Sequence, residues 1–317
     1  MQSKSSLDGE TGEGSVTKMV EAVKELEKAA GDRAGAGGLG GRGEKGAREA
    51  EEEVIRVLGL CARAAKFGVQ TARIAIDHAL RAVETLGPEK STFDDSPSIF
   101  VYSALLDVCA KAGAEEEAVA IMHRMKSDNV QQNVVSYSAY LSIFATTGAR
   151  GDRRAPYKAM EVLEEMRAVG LAPNEISYCS AMASCASATT SIGCSAAVDL
   201  GRMLLAAMLR DGLEVTAVPY NTLLAGCARA MERDAAGMDL CWQLFSEMQE
   251  RSIPMTVVTY TTLIDAGARA GDERILERGM QLLQQMADQG LAPNVVTFNA
   301  MFKAHILKST LQRDVTW

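Results

Sequence analysis

Aromatic side chains are scarce in this 317-residue chain, at 5% of the total, although apolar residues reach 47%. A core can be built, but from Ala, Leu, Val and Met and not from rings. That balance disfavours a β-sandwich or barrel and favours helices packed through small side chains. Positive charge is also short: 33 Lys and Arg stand against 41 Asp and Glu, a net charge of −8. Such a field excludes polybasic, histone-like binding, so any polynucleotide would have to be held by local geometry. No apolar run reaches the roughly 18 residues that cross a bilayer. The three histidines, His78, His123 and His305, lie far apart and show no metal-ligand spacing. No two of the seven cysteines form a C-x-x-C pair. They read as free, mostly buried thiols of a reducing compartment. No cofactor and no metal is implied.

Residues 1–53 differ in composition from the rest, with 8 basic and 12 acidic side chains. A short helical pattern over Val16 to Ala30 runs into the glycine-rich stretch GDRAGAGGLGGRGEKG. Gly35, Gly37 and Gly40 spell G-x-G-x-x-G, but an Ala/Lys/Glu helix precedes them and no β-branched strand follows. A dinucleotide fingerprint needs both strands, so the reading is a flexible, acidic and Gly-rich segment over residues 1–53. It has no apolar h-region, and Asp8, Glu10 and Glu13 come early for a transit peptide.

From residue 54 the chain repeats. Tyr102, Tyr137, Tyr178, Tyr220, Tyr260 and Phe298 open successive apolar segments, separated by 35, 41, 42, 40 and 38 residues. Met125, Met166, Met208, Met248 and Met286 each lie 12 residues before the next opening aromatic. A period in this range marks a solenoid. Each repeat reads as two helices: apolar residues stand three and four after the aromatic, and again three and four before the methionine. Seven before each methionine is a small residue, Ala118, Ala159, Gly201, Cys241 or Gly279, which permits close helix approach. Four after it come Asn129, Gly170, Gly212, Ser252 and Gly290, at the place where a left-handed residue ends a helix. Spans from aromatic to methionine vary (23, 29, 30, 28, 26), whereas the junction to the next repeat is constant. The extra residues therefore fall between the two helices of a repeat, as longer turns or helix extensions.

The segments NVVSYSAYLSIFATTG, TVVTYTTLIDAGARAGD, VPYNTLLAGCARA and APNVVTFNAM resemble the opening helix of the pentatricopeptide repeat. AMEVLEEMRAVGLAPN and LLQQMADQGLAPN resemble its second helix and closing loop. The resemblance is to the P-type, with lengthened repeats, and covers residues 54–305. Clear repeats are placed at 99–133, 134–174, 175–216, 217–256 and 257–294, preceded by a degenerate one and followed by a further first helix. Residues 306–317 read as a C-terminal tail. The tetratricopeptide repeat is the competitor, but its Trp-x-x-Leu-Gly opening is absent.

The resemblance implies an all-α, right-handed α-solenoid that binds single-stranded RNA, one base per repeat. It implies base-wedging side chains two before each opening aromatic: Phe100, Val135, Ile176, Val218, Val258 and Val296. From sequence alone these are equally well read as core. It implies base-edge readers just after the aromatic, Ser103, Ser138, Cys179, Asn221, Thr261 and Asn299. Their partners are the last residue of each repeat, Asn133, Asn174, Thr216, Thr256 and Asn294. The family's pairing tendencies give A-A-any-pyrimidine-A, with no assignment for Cys179/Thr216. Phosphate contacts fall to Lys111, Arg229 and Arg269, which an ordinary helix C-terminus would also favour. A role in RNA processing, stabilisation or translation in a plastid or mitochondrion is implied, in a monomer or weak dimer, with protein partners for processing and no membrane. The residues show no Ser-His-Asp set, P-loop or deaminase zinc motif, so binding without catalysis is expected. A protein–protein scaffold is the alternative.

Overall fold

The structure, a computed structural model, describes residues 12–35, 44–67, 69–84, 99–231, 237–270 and 275–314. Among them the secondary structure is helical throughout: fourteen α-helices and one short 3₁₀ turn. The chain divides into two compact parts, Met1–Thr146 and Thr147–Trp317.

The N-terminal part contains α1 (Gly12–Gly35), α2 (Glu44–Ala64), α3 (Val69–Glu84), α4 (Ile99–Ala112), α5 (Glu115–Ser127) and most of α6 (Val134–Ala149). Residues 1–53, expected as one flexible segment, hold α1 and the first half of α2. The reason is amphipathic spacing: Met19, Val23 and Leu26 recur at helical intervals on α1 and are buried. Helix α1 packs on both α2 and α3, and α2 packs on α4. Half of the glycine-rich stretch, residues 36–43, lies outside the described residues.

The C-terminal part contains α7 (Ala155–Ala168), α8 (Glu175–Ile192), α9 (Cys194–Arg210), α10 (Ala217–Ala230), α11 (Gly237–Glu250), α12 (Val257–Ala270), α13 (Ile275–Asp288) and α14 (Val295–Asp314). First helices of successive repeats stack on one another as α8, α10, α12 and α14, and second helices form another layer in which α9 meets α11. This is the layering of an α-solenoid. Helix α14 runs to Asp314, through most of the expected tail.

The junctions between repeats explain themselves at the backbone. Asn129, Gly170, Gly212, Ser252 and Gly290 all have positive φ, between 54° and 81°. The residue after each donates its N–H to the carbonyl of the closing methionine, at 2.8 to 3.1 Å: Val130 to Met125, Leu171 to Met166, Leu213 to Met208, Ile253 to Met248 and Leu291 to Met286. Each left-handed residue itself donates to the carbonyl three residues before it, at 2.9 to 3.3 Å, and the two bonds together make a Schellman motif five times over. Four residues later the chain starts the next helix.

The opening tyrosines Tyr102, Tyr137, Tyr178, Tyr220 and Tyr260 are fully buried. Two of them reach the end of the second helix of their own repeat. Tyr102 donates to Asp128, and Tyr178 donates to Asp211 at 2.6 Å. Arg167 also donates to Asp211, at 3.0 Å. In the second repeat the residue at the place of Asp128 and Asp211 is Val169, and Tyr137 instead donates to Gln132 at 3.2 Å.

Small residues mark close approaches. A Cβ on Gly201 would meet the Leu223 methyls at 2.6 Å, and one on Gly279 would meet the Met301 sulfur at 2.6 Å. Gly226 faces the Ala186 backbone, with a Cβ position 2.7 Å from its Cα. The lengthening between helices takes both expected forms. Helices α8 and α9 are 18 and 17 residues long and meet across Gly193 alone. Residues 150–154 form a longer turn between α6 and α7.

Candidate nucleic-acid interface

Phe100, Val135, Ile176, Val218, Val258 and Val296 are 53% to 72% exposed. The core reading of these positions is therefore excluded. Their place in the helix accounts for it. Five of them lie two residues before a buried tyrosine, about 200° away around the helix axis, and Val296 lies two before the exposed Phe298. Phe100 and Val135 belong to the N-terminal part, and the other four to the C-terminal part.

The last residue of each repeat is the N-cap of the next first helix. Asn133, Asn174 and Asn294 accept from the backbone N–H groups of Ser136, Ser177 and Thr297, each at 3.0 Å. Thr216 and Thr256 accept from Val218 and Thr259, each at 3.4 Å. In three of the five, a Ser or Thr three residues on reaches back to the cap's own N–H: Ser136 to Asn133 at 3.1 Å, Thr259 to Thr256 at 3.1 Å and Thr297 to Asn294 at 3.3 Å. This is a capping box with a hydroxyl in place of the usual carboxylate. The Asn or Thr at these places thus has a structural duty that fixes its orientation. In the Asn caps the carbonyl oxygen is engaged and the amide NH₂ is the group left to meet a ligand.

The structure brings together one candidate reading pair directly. Asn221 donates to Thr256 at 3.3 Å and accepts from Thr259 at 2.8 Å. Thr261 instead pairs with Thr297 at 2.8 Å, beside the Asn294 cap. Ser103, Ser138 and Cys179 are half-buried, and Asn299 is exposed. Burial, then the nearby Glu175 carboxylate, pushes the Cys179 thiol up to about 11, so it stays protonated. Thr216 donates to Glu175 at 2.9 Å.

The three cations expected to touch phosphate are tethered. Lys111 pairs with Asp107 one helical turn before it. Arg269 pairs with Asp265 at 2.6 Å, and Lys303 reaches the same carboxylate at 3.1 Å. Burial works against the Asp265 charge, but hydrogen bonds from Arg269 and Lys303 hold its carboxyl below the usual range. Arg229 donates to the Ala186 carbonyl at 3.0 Å. Thr146, at the same place in its repeat, donates to the Ala110 carbonyl at 2.7 Å. At these two sites the position fastens a first helix to a backbone carbonyl in the C-terminal half of the preceding one.

A cavity of about 450 Å³ in the C-terminal part is lined by Arg229, Thr261, Asp265, Arg269, Val296, Asn299 and Lys303, among others. It gathers five of the expected site residues, two of them arginines, with one further cation, Lys303, and one carboxylate, Asp265. Sequence reasoning missed Asp107, Asp265 and Glu175. The first two could have been found as acids four residues before a cation, the spacing of a helical ion pair. Glu175 is the one acid among Val134, Ala217, Val257 and Val295 at the first position of these helices. Among the described residues no cluster of His, Cys, Asp and Glu could hold a metal ion. No helix there is long and apolar enough to cross a membrane.

Stacked helix pairs with a fixed inter-repeat junction define a helical-repeat protein. The pattern of the pentatricopeptide repeat domain matches residues 243–306. The pattern of the pentacotripeptide-repeat region of PRORP matches residues 46–191. The chain belongs to the pentatricopeptide repeat family. A pentatricopeptide repeat-containing protein of Arabidopsis thaliana is 25% identical over 130 residues, which is 40% of this chain and 15% of that protein. A second, mitochondrial one from the same plant is 31% identical over 126 residues, 40% of this chain and 17% of that protein. The chain thus spans about a sixth of the length of these relatives. The crystal structure of the maize pentatricopeptide repeat protein PPR10 shares the fold, with a TM-score of 0.56 at 18% identity, over 96% of this chain and 43% of that one.

Proposed function

We propose that this protein binds single-stranded RNA through the exposed face of its first helices, without catalysis, in an organelle. The observation that carries the reading is the exposure of six apolar side chains at one register position, five of them beside a buried tyrosine. Exposing them costs solvation without contributing to the core, and an apolar side chain, branched or aromatic, can pack against the face of a base. PPR10, whose fold this chain shares, has also been crystallised with an 18-nucleotide RNA element. Mitochondrial placement of a relative supports the organelle.

In this reading Phe100, Val135, Ile176, Val218, Val258 and Val296 wedge the bases. Ser103, Ser138, Asn221, Thr261 and Asn299 read their edges together with the cap residues Asn133, Asn174, Thr256 and Asn294. The order A-A-any-pyrimidine-A follows, from the N-terminal repeat. Because Lys111 and Arg269 are paired with carboxylates, phosphate contacts are few, binding is weak and its salt dependence is shallow.

The test is titration of the full chain against A-A-N-C-A-containing and scrambled RNA at two salt concentrations. Replacing Val135, Val218 and Val258 together by Ala is expected to weaken binding roughly 10–100-fold, at about 0.5–1 kcal/mol per site. Absence of RNA binding at low salt by the folded protein would put a protein-scaffold role first. The acidic balance of the chain favours that role.

A further inference from the structure

The third repeat has no assigned base, because Cys179 with Thr216 fits none of the family's pairings. The structure supplies a third group at that place. Glu175 begins α8 directly after the Asn174 cap and lies one turn before Cys179, on the same face. Its carboxylate accepts the Thr216 hydroxyl proton at 2.9 Å. The Thr216 oxygen also faces the Val218 N–H, at 3.4 Å. The hydroxyl therefore has no proton left for a ligand. Exposed Ile176 and Val218 flank the same position. We propose that Glu175 is the specificity-determining residue of the third repeat and that it selects guanine.

The chemistry is a count of donors and acceptors. A carboxylate offers acceptors only, and the bond from Thr216 uses one lone pair of one oxygen. Guanine presents two adjacent donors on its pairing edge, N1–H and the N2 amine, which two carboxylate oxygens accept side by side. Its O6 then faces the weak S–H donor of Cys179, whose thiol keeps its proton. Cytosine and adenine each bring one amine next to a ring nitrogen acceptor, which the carboxylate repels. Uracil brings one N–H between two carbonyl oxygens and is the worst match. The corresponding residues of the other repeats, Val134, Ala217, Val257 and Val295, have no such group, so the effect belongs to this repeat alone.

The proposal rests on the RNA reading above, and its test separates the two. Four RNAs, A-A-N-C-A with N as G, C, A or U, are titrated against the full chain, Glu175→Gln and Glu175→Ala. For the unsubstituted chain the expected order is G tightest and U weakest, at least about fivefold apart. Glu175→Ala levels the four, and Glu175→Gln brings U up, because an amide can donate to a uracil carbonyl. Circular dichroism shows whether both variants keep their helices, as the Asn174 cap predicts. Indifference to N in the unsubstituted chain, while a change of the base facing Asn221 and Thr256 alters affinity, overturns the role of Glu175 and leaves RNA binding standing. Retention of the G preference in Glu175→Ala overturns it equally. Failure of every oligomer to bind removes the RNA reading and the role of Glu175 with it.

Discussion

Ser252 holds a φ of 54°, a region where a side chain is strained, at a place where three of its four counterparts in other repeats place glycine. Ser252→Gly is expected to raise stability by about 0.5–1 kcal/mol, read as a higher urea midpoint at unchanged slope. Asp211 offers a second residue-level test. The Tyr178 hydroxyl, then Arg167, holds its carboxyl below the usual carboxylate range. Burial, then Asp211 itself, pushes the Tyr178 hydroxyl up to about 12. The folded state therefore favours the ionised carboxyl. Its contribution is complete above the unfolded value of about 4 and is lost as pH falls through the lower, folded value. Asp211→Asn should cost about 1 kcal/mol at neutral pH, with the gap to the unsubstituted chain closing in acid. Urea unfolding at the two pH values measures it.

At the scale of the element, two glycines in helices make opposite predictions. Gly226 on α10 sits where a Cβ would press on the Ala186 backbone of α8, at 2.7 and 2.8 Å, and backbone cannot move aside as a side chain does. Gly226→Ala should destabilise by about 1–3 kcal/mol. Gly59 on α2 has nothing within 4 Å of the corresponding point. Gly59→Ala should stabilise by about 0.5–1 kcal/mol through helix propensity alone, and paired thermal melts distinguish the two. Helix existence and the left-handed helix ends were legible in the sequence because they are local. The 12-residue spacing from methionine to aromatic carries the Schellman turn and the cap together. What the sequence left open is what depends on the neighbour. It could not say whether Val135 faces core or solvent, because the same residue type suits both. It could not say that Arg229 would be held by the Ala186 carbonyl, 43 residues away. The helix at Gly12–Gly35 was legible in part from Val16 to Ala30, but its burial was not, since only its contacts with α2 and α3 make it part of the core.

At the scale of the whole molecule, position in the array decides what a residue is worth. Tyr260 and Phe298 occupy the same register place, yet Tyr260 is fully buried and Phe298 is 57% exposed. Phe302 and Met280 beside it are exposed as well, around a cavity of about 620 Å³. Tyr260→Ala should cost about 3–5 kcal/mol, and Phe298→Ala less than about 1 kcal/mol, in the same denaturation assay. The unequal spacing within repeats has a practical side. The turn at residues 150–154 absorbs length, and a Cβ added at Gly151 there would meet nothing within 4 Å. The connection from Gly170 to Asn174 absorbs none, since a helix end and a helix start are locked across it. A passenger domain grafted at Gly151 would ride on the protein as cargo, while even one residue spliced in at Ala172 would dislocate every repeat beyond it from the layer it belongs to.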